Sequence, residues 1–129
     1  MKHFKTLKEV CNELRISRRA IQGYEARNLI APASRNKYGH LLYDDEMVKR
    51  IAFIRFNQKI GFSIEDISNF IDGSYEETRK QLSKQADILR CEKAVLENRL
   101  NQIKRLEQLS SREECLDAVL KIIKEENSK

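Results

Sequence analysis

The stretch TLKEVCNELRISRRAIQGYEAR, running from Thr6 to Arg27, carries two helix starts in close succession. Thr6 can cap a first helix, and Glu9, three residues on, supplies the reciprocal half of a capping box. Leu7, Val10, Cys11 and Leu14 fall on one helical face, so a helix is expected from Thr6 to about Arg15. Ile16 and Ser17 interrupt it. Ser17 can cap a second helix from Arg18 to about Arg27. Two short helices joined by a tight turn, the second rich in arginine and polar groups, outline a helix-turn-helix.

Moving outward, Leu29-Ile30-Ala31-Pro32 leaves the second helix in extended form, because Pro32 disfavours helix at Ala31. Lys37-Tyr38-Gly39-His40 is a turn signal and Leu41-Leu42-Tyr43 can return as a strand, which predicts a small β-hairpin, or wing. Asp44 then caps a helix reaching about Lys59, with Met47, Val48, Ile51, Ile54 and Arg55 at helical spacing. Gly61 stands where a left-handed residue is commonly needed to end it. Ser63-Ile64-Glu65-Asp66 starts a further short helix that turns Ile64, Ile67, Phe70 and Ile71 inward, and Gly73 closes it.

From about Tyr75 to Leu109 no Gly or Pro occurs, and one helix of that length would extend roughly 50 Å. Leu82, Leu89, Leu96 and Ile103 recur every seven residues, a coiled-coil period, and Leu100 and Leu106 widen the stripe. Ile88 and Val95 extend it sideways. Gln85, Glu92 and Arg99 occupy the expected partner seam, so the pattern is not a strong two-stranded zipper. After Ser110-Ser111, Arg112 to about Glu126 forms a last amphipathic helix through Leu116, Val119, Leu120 and Ile123. Burying a Leu or Ile contributes about 1.5–3 kcal/mol, so such a stripe favours pairing of two chains. Its direction, parallel or antiparallel, does not follow from the spacing. The expected fold is mainly α: a winged helix-turn-helix over residues 1–73, a coiled-coil dimerisation helix over 74–110, and a short effector or interaction helix over 111–129.

Charge distribution points to a partner. The net charge is +5, but residues 1–43 carry nine Lys/Arg against three Asp/Glu, whereas residues 74–129 carry twelve against eleven. The basic end is the expected nucleic-acid surface and the mixed-charge end a solvated helical arm. No apolar run approaches a membrane span, and the opening MKHFKTLKEV lacks a signal-peptide core, so a cytoplasmic protein is expected. The three cysteines, Cys11, Cys91 and Cys115, are widely spaced, which fits free thiols in a reducing compartment. No nucleophile–base pair, phosphate loop or carboxylate dyad occurs, which argues against an enzyme; no cofactor is expected.

With these elements in order, the chain resembles the MerR family of bacterial regulators over positions 4–73. Phe4-Lys5-Thr6-Leu7-Lys8-Glu9-Val10 is similar to the family's opening helix. Arg19-Ala20-Ile21-Gln22-Gly23-Tyr24-Glu25 resembles its Arg-Thr-Ile-Arg-Tyr-Tyr-Glu signature, and Asn28-Leu29-Ile30-Ala31-Pro32 its Gly-Leu-Leu-x-Pro exit. Gly39 and Tyr43 match the ends of the wing pattern Gly-Tyr-Arg-x-Tyr. Ile60-Gly61-Phe62-Ser63-Ile64-Glu65-Asp66-Ile67 resembles Leu-Gly-Phe-Ser-Leu-Glu-Glu-Ile. The departures are Gln22 for Arg, Gly23 for Tyr, His40 for Tyr and Leu41 for Arg. They bear on the operator sequence and on phosphate contacts rather than on the fold.

The resemblance implies a two-fold homodimer on a palindromic promoter element of double-stranded DNA. Family members bend and untwist an overlong promoter spacer on effector binding, so that RNA polymerase engages both elements. Arg18, Arg19 and Gln22 are the expected readers of the major groove, although arginine grips phosphate as readily as guanine. Ser17 and Arg27 flank them at the two ends of the helix. Tyr24 either donates to a phosphate or packs on the wing. Arg35, Lys37, Tyr38 and His40 are expected beside the DNA backbone, and Lys5 and Thr6 stand at a helix start that favours a phosphate. Metal-sensing relatives place cysteines at the start of the long helix and in a loop beyond it. Tyr75 to Lys80 contains no cysteine and only Cys115 lies beyond the helix, so no metal site is expected. Cys115 is either a thiol sensor or a small residue in a helix face. The effector itself is not legible. The competing reading is a short-tailed regulator controlled by a protein partner docked on the last helix.

Overall fold

The computed structural model describes residues 3–128. The strand β1 (Phe4–Thr6) leads directly into α1 (Leu7–Leu14), which is followed by α2 (Arg18–Ala26). The two strands of the wing are β2 (Ser34–Arg35) and β3 (Leu41–Asp44), and α3 (Asp45–Lys59), α4 (Ile64–Phe70), α5 (Tyr75–Glu107) and α6 (Arg112–Asn127) complete the chain. Residues 1–85 and 86–129 are two compact units.

Side-chain caps fix where the helices of the first unit begin. The Glu9 N–H donates to Thr6 Oγ1 at 3.2 Å and the Thr6 N–H to Glu9 Oε1 at 3.0 Å, the capping box expected from the sequence. Ser17, Asp44 and Ser63 accept in the same way from Ala20, Met47 and Asp66. Each such cap contributes about 1 kcal/mol. The α1–α2 turn is closed by Arg15 in the left-handed region at φ 53°, and the Ile16 N–H returns to the Cys11 carbonyl. At the exit of α2 the left-handed residue is Asn28, φ 60°, at the position where the resembling family carries glycine. Asparagine visits this region more readily than other side chains, which is why the substitution keeps the turn.

The wing forms as an antiparallel hairpin with Ser34 opposite Leu42 and Arg35 opposite Leu41. Asn36 organises its tip: Oδ1 accepts from the N–H groups of Tyr38 and His40, both at 3.0 Å, and Gly39 turns the chain at φ 80°. The sheet has a third strand. β1 pairs with β3, with Lys5 opposite Tyr43 and Thr6 opposite Leu42, in the order β1-β3-β2. The sequence alone predicts the start of α1 here and no strand before it. Three residues are too short to show alternation, and only the pairing with β3 makes them a strand.

The core of this unit joins Val10 and Ile16 of the first helix and turn to Ile21 and Tyr24 of α2, Ile51 and Ile54 of α3, and Ile67 and Phe70 of α4. Phe70 stacks edge-on against Phe62, with ring centroids 5.2 Å apart. Cys11 packs against this cluster as a small apolar residue. Arg50 ties its rim together: Nε donates to the Leu29 carbonyl at 2.6 Å and Nη1 to Asp72 at 2.8 Å.

The first turns of α5 belong to the same unit. Leu82, expected in the dimer stripe, packs against the core instead. Gln85, expected in the partner seam, donates from Nε2 to the Ile60 carbonyl at 2.7 Å. The first compact unit thus extends through Gln85, beyond the end of the expected winged helix-turn-helix. The heptad spacing could not show this, because a leucine facing its own domain and one facing a partner have the same period.

In the second unit Ser111 caps α6 through the Glu114 N–H, and Gln102 of α5 donates to Glu126 of α6 at 3.1 Å. The two helical segments thus fold back on each other as a hairpin. Leu106 and Leu109 on one side and Cys115, Ala118 and Ile122 on the other are half-buried. Leu106, placed in the dimer stripe by sequence, is thereby partly covered within its own chain. Leu89, Leu96, Leu100 and Ile103 stay exposed, as do Ile88 and Val95.

Candidate nucleic-acid interface

The second helix of the helix-turn-helix has two chemically opposite faces. Ile21 and Tyr24 are buried, whereas Arg18, Arg19, Gln22 and Arg27 are exposed. The capping bond from the Ala20 N–H to Ser17 Oγ holds the start of this helix, and the hydroxyl keeps its own proton to donate. A Cβ at Gly23 would meet nothing within 4 Å, so this glycine leaves the helix surface open without any packing demand of its own.

Tyr24 is placed differently from either sequence expectation. It is 3% exposed, and its hydroxyl donates to Gln58 Oε1 of α3. Burial is the main cause that pushes its phenol pKa up, so ionisation is disfavoured, opposed by the Arg55 guanidinium nearby. It therefore anchors α2 to α3 from below and is out of reach of a phosphate. Tyr43, at the end of β3, is also fully buried and donates to Glu25 of α2, which ties the wing to the recognition helix. Burial, reinforced by the Glu25 carboxylate, pushes its phenol well above the usual range. These two tyrosines set the position of α2 on two sides, and neither partner, Gln58 nor Glu25, is signalled by sequence spacing.

The wing presents Arg35, Lys37, Tyr38 and His40 to solvent, with Tyr38 at its tip 72% exposed. Lys37 lies over the Tyr38 ring, 5.0 Å from its centroid, and His40 stands beside the same ring at 6.2 Å. The Arg35 guanidinium donates to the Gly39 carbonyl at 2.7 Å and so braces the hairpin. On β1, the Lys5 ammonium pairs with Glu13 at the other end of α1. An exposed pair of this kind contributes little to stability. Thr6 spends its hydroxyl oxygen on the α1 cap.

The wing, α1 and α2 meet at a cleft of about 410 Å³ lined by Thr6, Leu7, Lys8, Arg18, His40 and Leu41. The sequence reading named Arg18 and His40 but not Lys8. Its position two residues after the capping threonine, in the first turn of α1, was the available signal. Among the described residues no group of three or more His, Cys, Asp or Glu is placed to hold a metal ion. Cys91 is exposed on α5 and Cys115 half-buried on α6. Among the described residues no helix is long and apolar enough to cross a membrane.

A polar, arginine-bearing second helix flanked by a basic wing defines a winged helix-turn-helix DNA-binding regulator. Comparison with known proteins agrees. Residues 5–74 match the model of the MerR HTH family regulatory proteins, and residues 48–111 that of the MerR DNA-binding region. The chain belongs to the MerR family. It is 32% identical over 65 residues to the nodulation protein NolA of Bradyrhizobium sp. (strain NC92), a match covering 50% of this chain and 27% of that protein. Over 103 residues it is 25% identical to a probable heavy metal-dependent transcriptional regulator of Haemophilus influenzae, covering 79% of each. Its fold is similar to that of HiNmlR, a MerR family regulator lacking the sensor domain and solved bound to promoter DNA. That similarity has a TM-score of 0.65 at 21% identity, over 80% of this chain and 83% of the other. The chain is thus a transcription regulator of the MerR type and not an enzyme.

Proposed function

We propose that this regulator binds a palindromic promoter element as a homodimer and controls transcription by distorting the DNA in response to an effector, with RNA polymerase as its partner at the promoter. The observation that carries the DNA-binding part is the exposed face of α2, Arg18, Arg19, Gln22 and Arg27, beside a wing that presents Lys37, Tyr38 and His40. Arginine and glutamine at these positions have the reach and the paired donors needed for base edges, and the wing cations suit phosphate. The dimer is supported by the exposed apolar residues of α5, Leu89, Leu96, Leu100 and Ile103. Leaving four such side chains in water forgoes several kcal/mol of burial. Leu82 and Leu106 are not part of this proposal, for the reasons given above.

A gel-shift series on promoter fragments at increasing salt, set beside sedimentation at micromolar concentration, tests both parts. A steep fall of affinity with salt and a dimeric mass are expected. A monomer that ignores duplex DNA at low ionic strength would overturn the reading.

A second reading, control by a protein partner, is favoured by one observation. Leu116, Val119, Leu120 and Ile123 of α6 are exposed on one helix. The double substitution Leu116→Glu and Leu120→Glu separates the two. Loss of the dimer assigns this face to the second copy, whereas an unchanged dimer that still binds DNA leaves it to a different partner.

A further inference from the structure

The cleft between α1, α2 and the wing has a composition that matches one unit of a nucleic-acid backbone. Its floor is apolar, from the half-buried Leu7 and Leu41, and its rim carries Lys8, Arg18 and His40 from three different elements. The two wing positions that depart from the resembling family, His40 and Leu41, both line it. Leucine replaces a cation on the floor, and an ionisable ring takes a place on the rim.

We propose that this cleft seats one DNA backbone phosphate with its deoxyribose, and that His40 makes the grip proton-linked. The inference rests on the DNA-binding reading and deepens it. The deoxyribose packs on Leu7 and Leu41, while the phosphate oxygens accept from Lys8, Arg18 and the His40 imidazolium. Imidazole is the side chain whose charge ordinarily changes between about pH 5 and 8. The single negative charge of a backbone phosphodiester beside it stabilises its protonated form, so DNA binding takes up a proton from solvent.

The charged groups around His40 are cations, which disfavour a further positive charge there until a phosphate is seated among them. From its own hairpin it faces the Tyr38 ring, with Asn36, Arg35 and Lys37 close in sequence. Lys8 of α1 and Arg18 of α2 line the same cleft. No carboxylate lines the cleft. The nearest acid in the first turn of α1, Glu9, is held by the Thr6 N–H, which keeps its carboxyl below the usual range and so ionised throughout the relevant pH window. The His40 ring is exposed and its backbone is fixed by Asn36, so substituting the ring leaves the hairpin's own bonds in place.

The experiment is the affinity of the full chain for a fluorescein-labelled mixed-sequence duplex at fixed ionic strength, near pH 6 and near pH 8. Binding roughly tenfold tighter at the lower pH is expected, the worth of one charge-assisted phosphate contact. His40→Gln removes most of that difference. His3→Gln, which changes the only other imidazole in the chain, retains it. Calorimetry in buffers of different ionisation enthalpy reads the accompanying proton uptake. If His40→Gln keeps the wild-type pH dependence, or if wild-type binding is flat across the window, the inference is overturned and the DNA-binding reading stands. If the wild-type chain binds no duplex at either pH in low salt, both fall.

Discussion

Gln85, near the start of the long helix, donates from Nε2 to the carbonyl of Ile60, the residue that ends α3. The next residue, Gly61, has φ 108°, and a Cβ built there would collide with the same Gln85 side chain. This contact joins the turn after α3 to the first turns of α5, and the positive φ of Gly61 is what requires glycine beside it. Gly61→Ala is expected to destabilise the protein by about 2 kcal/mol, read as a lower urea midpoint. Adding Gln85→Ala relieves the collision but not the backbone strain, so the double variant should recover only in part. Full recovery would show that the left-handed backbone costs nothing.

Asp72 offers a test in acid. Hydrogen bonding to Arg50, with the attraction of the guanidinium, lowers its carboxyl below the ordinary value. A depressed folded-state value means that the contribution is present above the unfolded carboxyl's range, near pH 4, and is lost as pH falls through the folded value. Wild type should therefore exceed Asp72→Asn in stability at pH 7, with the gap closing in acid. The gap will be small, since Asp72 is exposed. Urea titrations across pH 2–7 at constant salt read it, and a gap that widened in acid would contradict the assignment.

Arg19 lies in the first turn of α2 and Arg27 caps its C-terminal end, and both are exposed. If Arg19 reads a base, Arg19→Ala costs about 1–3 kcal/mol of operator affinity and relaxes the preference at one position. If Arg27 holds phosphate, Arg27→Ala weakens all sequences alike and reduces the salt slope by about 1. Selection of bound sequences from a random pool, followed by salt titration, distinguishes the two roles.

Two leucines fourteen residues apart in one heptad stripe should respond in opposite ways. Leu96 is 55% exposed, whereas Leu82 packs against the core of its own unit. Leu96→Glu is expected to yield monomers by sedimentation while circular dichroism stays unchanged. Leu82→Ala is expected to lower stability by about 1–3 kcal/mol and to leave the association state nearly intact. Equal effects of the two on association would place Leu82 back in the stripe.

What could be read without coordinates was local. Thr6 with Glu9, Ser17, Asp44 and Ser63 announced where helices begin, because a cap acts within three residues of itself. The helix-turn-helix, the wing and the basic front end followed from spacing, turn chemistry and charge, all properties of short segments. Four matters depended on the folded chain. Phe4–Thr6 becomes a strand only through β3. Tyr24 turns inward because Gln58, thirty-four residues away, takes its hydroxyl. Leu82 is partly buried against the core of its own unit. Lys8 comes to line a cleft with Arg18 and His40 only where α1, α2 and the wing converge. Periodicity tells which residues share a face, but the partner that covers the face is decided by packing between segments distant in the chain.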